Sequence, residues 1–131
     1  KYMNFDFKKI IEISTKENLP LYEAEFKVLG YTHEHLAEFL LEKWNFPQYI
    51  TDSVLNHHTP SRSEKNPVLS SLIHLVDYMT QKMKIGDFVW DNDYKFDTNI
   101  IDILGFGNQE YLDKFIYSYE PLFNKQIETI I

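Results

Sequence analysis

The sequence predicts an all-α protein, a single bundle of six or seven helices. Apolar residues recur at intervals of three and four along most of its 131 residues, which is the period of a helix and not of a strand. Proline, glycine and asparagine residues divide this pattern into pieces of helical length. No internal repeat, low-complexity tract or linker separates the pieces, so we expect residues 1–131 to form one domain.

The composition limits the classes of function. The chain is 44% hydrophobic, which suits a packed core, and its net charge of −7 without a long basic run argues against a nucleic-acid partner. There is no cysteine, so disulfides, thiolate metal sites and cysteine nucleophiles are excluded, and any metal would need His, Asp or Glu ligands. No apolar run is long enough to span a membrane and no signal-peptide pattern is present, so we expect a cytoplasmic protein without a membrane partner.

The first half of the chain predicts four helices. A helix over residues 6–16 is followed by a second that ends before Gly30, a natural C′ residue. Thr32 is the predicted N-cap of a third helix over residues 33–44, and Pro47 begins a fourth that continues to about residue 57. The inward face of the third helix is predicted to consist of Leu36, Phe39, Leu40 and Trp44, with Trp44 in the core.

The middle of the chain predicts a long helix after a polar loop. Residues 59–66 form the loop, and Pro67 begins a helix that continues to about residue 84. The spacing of three and four predicts an inward stripe of Leu69, Leu72, Ile73, Val76, Met79 and Met83.

The C-terminal part predicts a loop and two helices. Residues 86–96 alternate too briefly for a strand and are interpreted as a loop, and a short helix follows over residues 98–104. Asn108 is the predicted cap of the last helix, and Pro121 is expected to interrupt and kink it. The apolar residues of this last helix repeat almost as heptads at Leu112, Phe115, Ile116, Tyr119, Leu122, Phe123, Ile127 and Ile130.

The histidines are the candidate functional residues. Adjacent residues on a helix point about 100° apart, so His57 and His58 can hold one ion only if the helix ends there. Pro60 places the pair at a helix end. A structural role is the alternative for each histidine: His33 lies beside a cap, and His74 precedes Asp77 by three residues, the spacing of a hydrogen-bonded pair on one helix.

Several short motifs in residues 22–60 and 68–80 resemble one known family. They are a glutamate, Gly-x-x-His, Leu-Leu-x-x-Trp-x-x-Pro, His-His-x-Pro and His-Leu-x-Asp. Their residues in this sequence are Glu25, Gly30, His33, Leu40, Leu41, Trp44, Pro47, His57, His58, Pro60, His74, Leu75 and Asp77. Together they resemble the HDOD domain, the HD-related output domain of bacterial signalling proteins, and residues 100–115 are similar to the C-terminal helices of that family.

The resemblance implies a helical bundle related to the HD and HD-GYP phosphohydrolases, which hold metal ions. By position, the metal ligands of those enzymes correspond to His33, His57, His58 and Asp77 in this sequence. The His-Asp dyad of the enzymes has no counterpart, because none of the five histidines is followed by Asp. The Gly-Tyr-Pro stretch is also missing, since residues 59–67 contain no glycine. Catalysis is therefore not expected, and neither is a cofactor.

Three hypotheses remain open at this point. The first is a non-catalytic regulatory domain of a bacterial signalling protein that binds a protein partner. The second is a metal-dependent phosphohydrolase whose dyad lies upstream, with Fe, Mn, Ni or Zn as the metal. In the third, His33, His57, His58 and Asp77 form only a buried hydrogen-bond network.

The family resemblance also predicts a missing part. HDOD domains have a set of N-terminal helices before the glutamate motif, whereas only about one helix precedes Glu25 in this sequence. A bundle without those helices exposes an apolar face, so we expect a homo-oligomer or completion of the bundle by a second chain.

Overall fold

The structure, a computed structural model, describes residues 3–84 and 95–130. These residues form seven α-helices and one 3₁₀ turn at Pro60–Arg62, and no strand occurs among them, which confirms the predicted all-α class. The predicted loop over residues 86–96 lies outside the described residues except for its last two. The helices are α1 Met3–Glu17, α2 Leu21–Leu29, α3 His33–Lys43, α4 Gln48–Leu55, α5 Pro67–Lys82, α6 Ile100–Ile103 and α7 Gln109–Ile130.

The breaks between the first helices follow from local chemistry. Gly30 adopts φ 78° after α2 and its N–H donates to Phe26 O at 2.9 Å, as the sequence predicted for a C-terminal glycine. Asn18 and Asn45, with φ of 53° and 56°, turn the chain after α1 and α3. Asparagine tolerates this left-handed region better than most residues, so α1 and α3 end where the sequence contains it.

The main apolar core lies toward the C-terminal half. Leu75 and Met79 of α5 pack with Ile100 of α6 and with Leu112 and Ile116 of α7, and all five side chains are buried. The short α6 contributes a fully buried isoleucine, which explains why a four-residue helix persists there. This core holds α5 in place, and α5 carries one of the predicted site residues.

The predicted inward face of α3 is wrong. Leu36, Phe39, Leu40 and Trp44 are all exposed, and Trp44 is 66% exposed and not in the core. α3 packs instead on α4 with its opposite side, where Glu34 is buried. The apolar stripe of α3 thus faces away from the rest of the described chain.

The predicted stripe of α5 is wrong in part. Met79 is buried as expected, but Leu72 is exposed and Val76 is 56% exposed. The side of α5 that faces inward carries Ser70 and Ser71, both fully buried. Small side chains allow α4 and α5 to approach closely, so the packing of these two helices is decided by size as well as by hydrophobicity.

The last helix begins as predicted but is not interrupted at its proline. Asn108 Oδ1 accepts a hydrogen bond from Tyr111 N at 3.0 Å, which confirms the predicted cap. α7 continues through Pro121 as one helix to Ile130, so the predicted interruption is wrong. None of the helices that the structure describes combines the length and the apolar character needed to cross a membrane.

Candidate functional site

The start of α3 and the turn after α4 bring three of the predicted site residues together. His33 is the first residue of α3, directly after Thr32, whose backbone N–H donates to His35 Nδ1 at 3.4 Å. His57 and His58 follow the last residue of α4, in the turn that leads to Pro60. Because α4 ends at Leu55, the two adjacent rings are free of helical geometry and can point toward the same place.

Three imidazole nitrogens converge at this point. His33 Nε2 lies 3.4 Å from His57 Nε2 and 3.1 Å from His58 Nε2. One nitrogen from each of the three rings lies within 4.8 Å of the others. We call His33, His57 and His58 the histidine cluster.

Asp77 lies at the edge of the histidine cluster. Its Oδ2 is 3.9 Å from His57 Nε2, across the gap between α5 and the end of α4. All four residues predicted from the family resemblance are thus neighbours. Their role as metal ligands stays a prediction, whereas their proximity is a property of the fold.

Glu25 of α2 fixes the orientation of His33. Its Oε2 accepts hydrogen bonds from the His33 backbone N–H at 2.8 Å and from His33 Nδ1–H at 2.7 Å. With the proton held on Nδ1, the Nε2 lone pair points toward the other two histidines. The glutamate motif that the sequence contains therefore acts through His33.

A backbone carbonyl has the same effect on His57. Its Nδ1–H donates to Val54 O at 2.6 Å, in the last turn of α4, which leaves Nε2 directed into the histidine cluster. No sequence signal identifies this acceptor, because any residue at position 54 supplies a carbonyl.

The fully buried His74 holds the turn after α4 in place. Its Nδ1–H donates to His57 O at 2.8 Å, and its Nε2 accepts from Asp97 N–H at 2.9 Å. The His-Leu-x-Asp motif thus contains two different functions, since His74 holds the backbone while Asp77 reaches the histidine cluster. The sequence does not predict the contact between His74 and Asp97, because a backbone N–H that lies 23 residues away is not marked by any residue type or spacing.

The loop after α4 is organised by Asp52. Its Oδ2 accepts from Ser63 Oγ at 2.5 Å and from Lys65 N at 3.1 Å. Burial alone would raise the pKa of Asp52, but these hydrogen bonds outweigh it and lower the pKa below its usual range. The charged carboxylate therefore ties the loop after the two histidines to α4.

Burial and Glu25 change the pKa values of two members of the histidine cluster, His58 and His33. Burial and the nearby charges of His57, His33 and His74 lower the pKa of His58 to about 2, so this ring is neutral at physiological pH. Burial would also lower the pKa of His33, but the hydrogen bond and negative charge of Glu25 outweigh it and raise the pKa.

The donor set fits a divalent transition metal. Imidazole nitrogens with one carboxylate suit Zn, Fe, Mn or Ni. In a tetrahedral site with metal–nitrogen bonds of about 2.0–2.1 Å, neighbouring nitrogens are roughly 3.3 Å apart. The separations of 3.4 and 3.1 Å in the histidine cluster are close to this value. His33, His57, His58 and Asp77 would hold the ion.

Comparison with known families identifies the first part of the chain. The HDOD domain matches residues 1–60. The predicted HDOD resemblance is confirmed. The matched HDOD segment contains Glu25, His33, His57 and His58, and it ends at Pro60, before His74 and Asp77. No curated protein and no solved structure matches the chain. The HDOD match does not extend to Asp77, whose place in the site is supported by its distance from His57.

Proposed function

We propose that this chain is a non-catalytic regulatory domain of a bacterial signalling protein, and that it acts by binding protein. The HDOD match supports an output role. None of the five histidines precedes an aspartate, so the dyad that positions the reacting group in HD phosphohydrolases has no counterpart among them. A domain with this family pattern and without the dyad is suited to transmit a signal by contact.

The observation that carries this proposal is the exposed apolar stripe of α3. The stripe consists of Leu36, Phe39, Leu40 and Trp44, and spacings of three and four place them on one side of the helix. Aromatic side chains of this kind contribute most of the binding energy in protein interfaces, especially tryptophan. A surface of four large apolar side chains in one row is typical of an interaction site.

The partner that we propose is a second copy of the chain. The stripe is symmetric about Leu40, with Leu36 and Trp44 each four residues away. If two copies of α3 cross antiparallel at Leu40, each Trp44 lies over Leu36 of the other copy, so a large side chain meets a smaller one. The acidic side chains of α3 lie at positions 34, 38 and 42, on the other side of the helix, so they do not oppose each other in this arrangement.

The test is the dependence of molecular mass on concentration. We expect sedimentation equilibrium to give a monomer–dimer equilibrium for the wild type, and Leu40→Glu to shift it to monomer, because two buried carboxylates would face each other. Leu122→Glu is the matched control, since Leu122 is equally an exposed helical leucine but lies on α7. Circular dichroism should show that both variants keep the helical content of the wild type.

Two results would contradict the proposal. One is a wild type that remains monomeric at concentrations of hundreds of micromolar. The other is a dimer that Leu40→Glu leaves unchanged, or that Leu122→Glu disrupts equally.

The second candidate is a metal-dependent phosphohydrolase, which the geometry of the histidine cluster favours. The convergence of three Nε2 atoms, with Nδ1 of His33 and His57 held by Glu25 and Val54 O, resembles a prepared metal site. A bound divalent ion would supply Lewis-acid polarisation of a phosphoryl oxygen or of water. The chain itself would contribute ligands and their orientation.

Metal analysis and a hydrolysis assay distinguish the two candidates. The second candidate requires near-stoichiometric Fe, Mn, Ni or Zn in the purified protein, its loss in the double variant His57→Ala, His58→Ala, and metal-dependent hydrolysis of bis(4-nitrophenyl) phosphate. Bound metal without hydrolysis leaves the regulatory proposal intact. Hydrolysis that is lost in the double variant would replace it.

A further inference from the structure

We propose that a cleft beside the histidine cluster binds a small zwitterion, an α-amino acid with an aromatic side chain. The cleft has a volume of about 370 Å³ and lies between α2, the first turn of α3 and the 3₁₀ turn after α4. This volume is at the lower end of the range of about 300–1,000 Å³ for small-molecule sites, which suits a metabolite. The proposal does not rest on the regulatory function, because the cleft and the stripe of α3 use different residues.

One wall of the cleft is aromatic. Tyr22 stacks on His58, with ring centroids 4.8 Å apart and planes inclined by 23°. Phe26, one helical turn after Tyr22, lines the same cleft and is 58% exposed. Aromatic rings pack well against one another in offset or edge-to-face arrangements, so this wall favours a ligand with a ring.

A buried carboxylate in the cleft forms no ion pair with another residue that the structure describes. Glu34 is only 7% exposed, and its Oε2 accepts a hydrogen bond from Thr32 Oγ1 at 3.0 Å. It forms no ion pair with any lysine, arginine or histidine that the structure describes. The N-terminal end of the α3 dipole offsets part of the cost of this burial. An ammonium group of a ligand would supply the missing charge.

An arginine in the same cleft is also without a counter-charge. The guanidinium of Arg62 forms no ion pair within the described part of the chain, whereas the other cations nearby are already paired. Lys27 pairs with Glu17, and Lys95 pairs with Glu23. Within the described residues, the cleft thus presents one carboxylate and one guanidinium without an ion-pair partner next to an apolar wall, which is the complement of an amino acid.

Isothermal titration calorimetry with three probes tests this assignment. L-phenylalanine carries both charges, 3-phenylpropanoate lacks the ammonium group, and 2-phenylethylamine lacks the carboxylate. We expect L-phenylalanine to bind saturably and each analogue to bind about tenfold more weakly. Without the ammonium group the buried Glu34 carboxylate has no partner, and without the carboxylate the charge-assisted hydrogen bond to Arg62 is lost.

Two variants separate the two charges. Glu34→Gln should weaken the binding of L-phenylalanine and 2-phenylethylamine about tenfold and leave 3-phenylpropanoate unchanged. Arg62→Gln should weaken L-phenylalanine and 3-phenylpropanoate and leave 2-phenylethylamine unchanged. Glu42→Gln is the matched control, since Glu42 is on the same helix, is exposed and does not line the cleft.

The possible outcomes are decisive in each case. The proposal is supported if Glu34→Gln weakens only the two ligands that carry an ammonium group and Arg62→Gln weakens only the two that carry a carboxylate. No heat of binding with L-phenylalanine at millimolar concentrations overturns it, and so does binding that neither variant changes. If Glu34→Gln fails to fold, Arg62→Gln alone decides, because Arg62 is exposed and its substitution removes no described hydrogen bond of the side chain.

Discussion

His74 is the residue whose replacement tests the structure most directly. It is fully buried, it joins the turn at His57 to the backbone at Asp97 through two hydrogen bonds, and its ring centroid lies 5.5 Å from that of Phe96. It therefore connects α5, the turn that carries the histidine cluster, and the segment before α6. His74→Leu keeps a side chain of similar size and removes both hydrogen bonds.

The expected loss of stability follows from the two groups that are left behind. The His57 carbonyl and the Asp97 N–H each lose a partner, and an unsatisfied buried polar group costs about 1–3 kcal/mol. Both residues are only partly buried, so water can replace some of the lost bonding. We therefore expect the free energy of unfolding to fall by about 2–4 kcal/mol.

Urea unfolding followed by circular dichroism measures this loss. His74→Gln is the conservative comparison, because an amide offers both a donor and an acceptor and should recover part of the loss. Val76→Ala is the control on the same helix, and since Val76 is exposed its effect should stay within about 0.5 kcal/mol. A loss below about 0.5 kcal/mol for His74→Leu would show that these hydrogen bonds do not support the turn.

Three further predictions concern stability. Ser71→Ala should leave the free energy of unfolding unchanged or raise it by about 1 kcal/mol, because the buried Ser71 Oγ has no hydrogen-bond partner among the described residues. A decrease of more than about 1 kcal/mol in urea unfolding would show that this hydroxyl does have a partner. Gly30→Ala should lower it by about 1 kcal/mol, since Gly30 has φ 78°, and a neutral result in the same assay would argue against the left-handed turn. In chelator-treated protein, stability should fall as the pH is lowered from 7.5 to 5: the pKa values of His58 and His74 are lowered by burial, so both groups bind protons more readily when unfolded. The raised pKa of His33 acts in the opposite direction, because the stability it contributes is complete below pH 6.5 and is lost as the pH rises through the raised value. We expect the combined effect of His58 and His74 to exceed that of His33. Stability that increases on acidification would refute this expectation.

The helical class and most helix ends could be predicted because their causes are local. Gly30 ends α2 through its own backbone freedom, and Asn108 begins α7 through a hydrogen bond to a residue three positions away. Pro67 begins α5 for a similar reason, since the first turn of a helix needs no N–H from it. Such features depend on a few neighbouring residues, and the sequence contains all of them.

The members of the candidate site could be predicted in part. His33, His57, His58 and Asp77 were proposed as a group because their motifs resemble those of one family, and the fold brings them together. Spacing alone did not place them, since 24 residues separate His33 from His57. The groups that orient them, such as Val54 O, are backbone atoms that no residue type identifies.

The faces of α3 and α5 were decided by tertiary structure. The sequence by itself determined that Leu36, Leu40 and Trp44 share one side of a helix, because helical periodicity requires it. It did not determine which side would be inward. In the structure Glu34 lies on the buried side of α3, and Ser70 and Ser71 lie on that of α5, so parts of both apolar stripes face outward. Hydrophobic periodicity identifies one face of a helix, but the neighbouring helices decide which face is buried.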